Sequence, residues 1–344
     1  MPINMSNKPE KAEKNIVLVT GGAGYGGSVL IRLLIHNGYR VVCLDNLRFG
    51  GRSLIEVWDN RAFEFSKTDI NDYEAVDQLL EMYDYLAVIH LAAIVGDPAC
   101  NLDPELAVRT NRDASIHLLD KALQMGIPRF LFASTCSNYG KMIDSNGMVD
   151  ETAPLAPVSL YAALKVEFES QLLHRDGKLV GFCPTALRFA TVYGLSPRMR
   201  FDLTVNEFTK ELALGRELVV FGEQFWRPYC HVDDYARAIL TVLNACEDQV
   251  AYAVFNVGDT SQNYTKNMIV EELLKQIPDG KVRFVHKEED PRDYRVDFQK
   301  IRHSLGFKIT KTVPEGIREI LTCIQAGIIE NPDDQRYYNT AVLS

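Results

Sequence analysis

The sequence predicts an α/β protein: a doubly wound parallel sheet with a smaller C-terminal lobe. Three observations carry the prediction. Apolar runs alternate with helical patterns from residue 15 to about residue 180, a glycine-rich turn joins the first such pair, and beyond that point the alternation loosens into segments rich in Pro, Arg and aromatic residues. Alternation at this spacing marks βαβ units, whose crossover helices cover both faces of a parallel sheet.

The first strand is Ile16-Val17-Leu18-Val19, apolar without a break, as a strand covered on both faces requires. Thr20-Gly21-Gly22-Ala23-Gly24-Tyr25-Gly26-Gly27 follows it and opens a helical pattern over residues 28–35. The second strand, residues 40–44, ends at Asp45. Residues 63–65 then precede a helix over 72–82, residues 86–91 a helix over 104–125, and residues 130–134 a helix over 158–174. Residues 180–187 still read as a core strand, and residues 232–245 and 265–277 as amphipathic helices. The segments 193–203, 223–229 and 286–298 suit a lobe that closes over a cleft. The expected division is a disordered tail at 1–14, a sheet domain at 15–180, a lobe at 181–330 from which 232–258 returns to the sheet domain, and a C-terminal tail at 331–344.

Composition narrows the function classes. A chain of 344 residues that is 47% hydrophobic buries a full core. The formal net charge of -9 speaks against a nucleic-acid partner, because phosphate-tracking proteins concentrate positive charge. An anionic substrate must then be held by a few local arginines. The seven cysteines include no C-x-x-C pair, which reads as reduced, buried thiols without structural zinc or any other metal site. The polar first 14 residues lack the apolar core of a signal peptide, and no run reaches the roughly 18 apolar residues of a membrane span. A soluble, cytoplasmic protein without a membrane partner is expected.

Strand, glycine turn and helix in that order is what a dinucleotide pyrophosphate needs: glycines let the backbone approach the phosphates, and the helix N-terminus offers free N–H groups. The run parses as Gly22, Gly24, Gly27 or as Gly21, Gly24, Gly27. Asp45, about 20 residues on, is placed to accept hydrogen bonds from the adenine ribose of NAD and to repel the extra phosphate of NADP. The sheet domain is therefore read as a Rossmann-type NAD-binding domain. Tyr161 and Lys165 stand at i, i+4 on one helical face. A tyrosine serving as base at neutral pH must be stabilised as phenolate by about 4 kcal/mol, and Lys165 and an oxidised nicotinamide are two sources. Thr135 ends the strand before that helix, at the carboxyl edge where open sheets bind ligands. Arg198, Arg200 and Arg227 are assigned to a nucleotide diphosphate, since planar guanidinium forks suit phosphate oxygens, and Arg292 is a further candidate. His90 and His231 are read as structural, and Cys100 as a buried thiol.

Thr20-Gly21-x-x-Gly24-x-x-Gly27, Asp45-Asn46-Leu47, Asp69-Ile70, His90-Leu91-Ala92-Ala93, Asn111, Ser134-Thr135-x-x-x-Tyr139-Gly140, Tyr161-x-x-x-Lys165 and Tyr229-x-His231-Val232-x-Asp234 stand in the order seen in extended short-chain dehydrogenase/reductases. Over residues 15–325 the chain resembles their NAD-dependent nucleotide-sugar epimerase and dehydratase branch. The resemblance selects the Gly21, Gly24, Gly27 parse. It implies Tyr161 as the base on a sugar hydroxyl, Lys165 on the nicotinamide ribose and Thr135 orienting the substrate. The cofactor contacts it implies are Gly21, Gly24, Tyr25, Gly27, Asp45, Asn46, Asp69, Ile70, Leu91, Ala92, Ala93, Asn111 and Lys165. Of these, Asp69 and Ile70 would flank the adenine. Val95, Cys136 and Thr191 join the substrate side, and a homodimer through the helices at 104–125 and 158–174 is expected by resemblance.

Departures from the pattern matter too. The 4,6-dehydratases carry an Asp-Glu pair after the Thr, where this chain has Cys136-Ser137, which disfavours dehydration. Residues 190–203 replace the Asn-containing segment of many UDP-hexose epimerases and are similar to NAD-dependent 4-dehydrogenases of GDP-heptoses, which also share something like Pro291-Arg292-Asp293-Tyr294. The expected activity is NAD-dependent oxidation at C4 of a nucleotide-diphosphate sugar, as a 4-epimerase in surface polysaccharide or glycoconjugate precursor synthesis. A 4-dehydrogenase or 4-ketoreductase is the alternative, ahead of a 4,6-dehydratase or a non-catalytic NAD sensor.

Overall fold

The computed structural model describes residues 15–142, 147–174, 177–290 and 292–340. The tail at 1–14, Pro291 and the last four residues lie outside them. Seven strands form the central sheet: β1 (Ile16–Thr20), β2 (Arg40–Asp45), β3 (Phe63–Lys67), β4 (Ala87–His90), β5 (Arg129–Thr135), β6 (Cys183–Phe189) and β10 (Ala253–Val257). Their order is β10-β6-β5-β4-β1-β2-β3, every neighbouring pair parallel. Winding reverses between β1 and β4, so a crevice opens at their carboxyl ends, the general ligand position in such sheets. Val17, Leu18, Val19, Val88 and Ile89 are fully buried, which explains their unbroken apolar runs.

The second lobe carries β7 (Thr191–Tyr193), β8 (Leu218–Phe221), β9 (Trp226–His231), β11 (Asn263–Thr265) and β12 (Val282–Val285). They form a three-stranded sheet, β11-β9-β7, and a two-stranded one, β12-β8. Helices Thr204–Ala213, Lys266–Gln276 and Val313–Gln325 pack on them around a core that includes Tyr193, Phe208, Tyr229, Ile269 and Ile317. Residues 232–257 lie with the central sheet: helix Val232–Asn244 packs on helix Tyr25–His36, and β10 pairs with β6. No helix among the described residues is long and apolar enough to cross a membrane.

Two segments differ from the sequence reading. The helix expected over 104–125 is three pieces: Pro104–Val108, a π-turn at Arg109–Asp113 and Ala114–Gln124. Asn111 in that turn is buried, and its amide binds the chain on both sides: Ile94 N donates to Oδ1 at 2.8 Å, and Nδ2 donates to Ile94 O at 2.9 Å. Such bulges recur where a helix must aim one side chain. The segment read as a C-terminal tail is docked through residue 340. Lys210 Nζ donates to Asp333 Oδ1 at 2.9 Å and to the Tyr338 hydroxyl at 2.8 Å, and Phe201 N donates to Tyr337 O at 2.9 Å.

Candidate active site

A cleft of about 490 Å³ runs between the carboxyl ends of the central strands and the second lobe. Its floor is the turn after β1. Gly21 has φ 73°, and a Cβ there would stand 2.8 Å from Ala92 N; one on Gly27 would stand 2.3 Å from Gly21 O. The backbone is thus packed too closely for side chains. Helix Tyr25–His36 begins at Gly24 with no side-chain cap, leaving its first N–H groups to face the cleft, and its first turn has no acidic residue. That cradle fits a pyrophosphate. Asp45, at the end of β2, lines the same half and is held by Ala23 N at 3.0 Å and Leu47 N at 2.8 Å; burial raises its carboxyl. At Asp69 burial is outweighed by hydrogen bonds from Asn46 and Asn71, which hold the carboxyl below its ordinary value. Ile70, Leu91 and Ala93 complete this wall.

At the junction of the two halves stand Thr135, Tyr161 and Lys165, all lining the cleft. Thr135 ends β5, and its Oγ1 accepts from Ser137 N at 3.1 Å. Beneath β5, Ser134 Oγ donates to Glu169 at 2.8 Å, and Glu169 is ion-paired with buried Arg188, a network that fixes the strand end. Lys165 Nζ donates to Ala133 O at 2.8 Å and lies 4.6 Å from the Phe132 ring centroid and 5.9 Å from that of Tyr161. Burial pushes the Lys165 ammonium down to about 7. Burial raises the Tyr161 phenol, and Arg200 offsets part of that rise.

The arginine-bearing wall comes from the second lobe. Arg200 grips Asp202 through two bonds, 2.9 and 2.7 Å. Arg227 donates to Asp290 at 2.8 Å, and Arg292 to Asp97 at 2.9 Å. Arg198 differs: its guanidinium lies 4.0 Å from the Phe49 ring centroid, on the dinucleotide side. Val95 and Thr191 line the cleft as the sequence expects. Cys136 does not, a correction to the expected substrate contact. It is buried, with Sγ donating to Arg188 O at 3.1 Å: the strand ends at Thr135, and the 3-10 turn Cys136–Tyr139 that follows packs Cys136 into the core while Ser137 lines the cleft. Asn111 likewise stands behind the wall, shaping the Ile94 loop.

Sequence reasoning missed Lys266, Asp290, Phe49 and Asn339, all in the lining. Lys266 Nζ donates to Phe221 O at 2.6 Å; burial first, then Arg227 and Arg292, lower its ammonium. No local motif announces it. His90 lies between Thr20 Oγ1 and Ser115 Oγ at 2.8 and 2.9 Å, with burial pushing it down to about 3, and His231 caps helix Val232–Asn244. Among the described residues no group of three or more His, Cys, Asp or Glu is arranged to hold a metal.

The fold and the glycine cradle define a Rossmann-type dinucleotide-binding protein. The model of the NAD dependent epimerase/dehydratase family matches residues 17–258, and the chain belongs to that family. It is 28% identical over 323 residues to a UDP-glucuronate 4-epimerase of Thermodesulfobacterium geofontis, covering 90% of this chain and 96% of the relative. It is 31% identical over 317 residues to a dTDP-glucose 4,6-dehydratase of Streptomyces niveus, covering 88% and 90%. The crystal structure of the UDP-glucose 4-epimerase of Thermus thermophilus in complex with NAD superimposes with a TM-score of 0.78 at 26% identity, covering 90% of this chain and 99% of that one.

Proposed function

We propose that the protein oxidises C4 of a nucleotide-activated sugar and returns the hydride to the opposite face, as a 4-epimerase, in the supply of surface polysaccharide or glycoconjugate precursors. The observation that carries this reading is the meeting of Thr135, Tyr161 and Lys165 between the glycine cradle and the arginine-bearing wall. NAD, when bound, supplies the hydride acceptor. Tyr161 takes the proton from the C4 hydroxyl, Thr135 Oγ1 orients that hydroxyl, and the Lys165 ammonium holds the nicotinamide ribose. Arg200 supports the phenolate from the substrate side, against the cost of burying it. Arg227, Lys266 and Arg292 gather positive charge where the sugar diphosphate enters, within a chain of net charge -9.

Dehydration fits less well. Cys136 is buried and Ser137 has no carboxyl, and of the carboxylates lining the cleft, Asp45 and Asp69 face the dinucleotide while Asp290 is paired with Arg227. A second reading, release of the 4-keto sugar by a 4-dehydrogenase, draws on residues 190–203, which replace the Asn-containing segment of many UDP-hexose epimerases and are similar to GDP-heptose 4-dehydrogenases. A C4-deuterated nucleotide sugar distinguishes the two. An epimerase returns the label to C4 of the product and accumulates no NADH; stoichiometric NADH with a trapped keto sugar overturns epimerisation and establishes the dehydrogenase. The homodimer expected through the helices around 104–125 and 158–174 belongs to the same proposal and is checked by light scattering.

A further inference from the structure

Arg198 is only 6% exposed, yet its Nε and Nη2 have no hydrogen-bond partner among the described residues. A buried cation in that state is costly unless a ligand completes it. Its neighbours say which ligand. One face stacks on Phe49, in the loop that follows Asp45 on the dinucleotide side. The segment that carries it is fastened to the start of the helix that opens the glycine cradle. Tyr25 Oη donates to Gly194 O at 2.6 Å, Ser196 Oγ to Tyr25 O at 2.7 Å, and Asn206 Nδ2 to the Tyr25 hydroxyl at 3.1 Å. The arginines of the sugar side, Arg200, Arg227 and Arg292, are each already held by a carboxylate. Arg198 therefore spans the gap between the helix N-terminus and the adenosine-side loop. A dinucleotide pyrophosphate seated there would meet the free backbone N–H groups of the helix start, which leaves the side toward the second lobe for Arg198.

We propose that Arg198 is a cofactor-positioning residue of the second lobe, closing over the outer oxygens of the NAD pyrophosphate, and not a contact of the sugar nucleotide. The assignment rests on NAD binding alone and is independent of the sugar chemistry proposed above. Burial and Arg200 lower its guanidinium to about 10, against the pull of Asp202 and Asp45, so it is still a cation at neutral pH.

The test compares Arg198→Met, Arg198→Lys and Arg227→Met with the parent, each shown to be folded by its melting curve. Displacement of bound NAD by NADH, followed by nicotinamide fluorescence, should give NAD affinity at least about tenfold weaker in Arg198→Met, less so in Arg198→Lys, and unchanged in Arg227→Met. ADP-ribose, which carries the pyrophosphate, should lose affinity in parallel, whereas adenosine should not. Binding of UDP and GDP should fall in Arg227→Met only. Parental NAD affinity in Arg198→Met, an equal loss for adenosine, or a loss confined to UDP and GDP would overturn the proposal, the last returning Arg198 to the substrate.

Discussion

The two halves of the cleft are built by opposite strategies. On the dinucleotide side the lining is backbone and short side chains from consecutive residues, Gly21 to Gly27, with Asp45 one strand away. On the opposite side, the one proposed above for the sugar, the lining carries long cations drawn from distant segments, three of them matched to a carboxylate: Arg200 with Asp202, Arg227 with Asp290, Arg292 with Asp97. The first half is pre-formed by sterics, since a side chain at Gly27 has no room. The second is pre-formed by ion pairs, which an entering diphosphate must rearrange. A lining fixed by sterics thus sits beside one held by exchangeable ion pairs.

Substitutions can break that contrast, and the largest effect is expected where the halves meet. Tyr161→Phe keeps the ring and removes the proposed base, so turnover should fall at least about 100-fold while NAD affinity holds. Near-parental turnover would show that another group takes the proton. On the sugar side, Arg227→Ala should weaken nucleotide-sugar binding by roughly 1.5–3 kcal/mol, because a mostly buried cation is lost from the wall and Asp290 keeps only Arg292 as its partner. Arg292→Ala should cost under about 1 kcal/mol, its side chain being 42% exposed. Calorimetry with a sugar nucleotide checks both, and equal losses would deny the graded wall. On the dinucleotide side, Asp45 should favour NAD over NADP by about tenfold or more through like-charge repulsion of the 2′-phosphate, even with Arg48 in the same lining. Equal affinities would assign that phosphate to Arg48.

The smallest effect is a pH-dependent one at the junction. Burial brings Lys165 to about 7 in the folded chain, against about 10.4 when unfolded. Between those values the unfolded chain binds a proton that the native chain lacks, so this group makes stability rise from pH 7 toward pH 10, and its burial penalty is fully present below pH 7. Lys165→Met removes the group. Its gain in melting temperature over the parent should be largest at or below pH 7 and shrink toward pH 10; a gap that ignores pH would locate the proton elsewhere.

How much could be read in advance follows the same division. The glycine run, Asp45 and the Tyr161, Lys165 pair are local patterns whose spacing states their geometry, so the parallel, doubly wound sheet and the residues lining the first half of the cleft were legible, though not the strand order. Arg198 was singled out as a phosphate ligand, but its place beside Phe49 was not legible, because that stacking partner lies in another segment and no motif links the two. Lys266 and Asp290 reach the cleft only through the folding of the second lobe. The π-turn at Arg109–Asp113 hides among ordinary helix-compatible residues. Cys136 was misjudged because the strand ends at Thr135 and the 3-10 turn that follows, which no local motif states, carries the next side chain into the core.

Asn339 Nδ2 donates to Val95 O at 3.3 Å, joining points 244 positions apart, and Asn339 N reaches Asp202 Oδ2 at the same distance. A nascent chain leaves the ribosome from its N-terminal end, so the glycine cradle emerges early, the central sheet is complete once β10 is out, and the rim of the cleft closes only when residue 339 is free. Closure of the cleft during synthesis therefore comes last: a chain stalled near residue 330 would have its central sheet but leave the cleft unsealed.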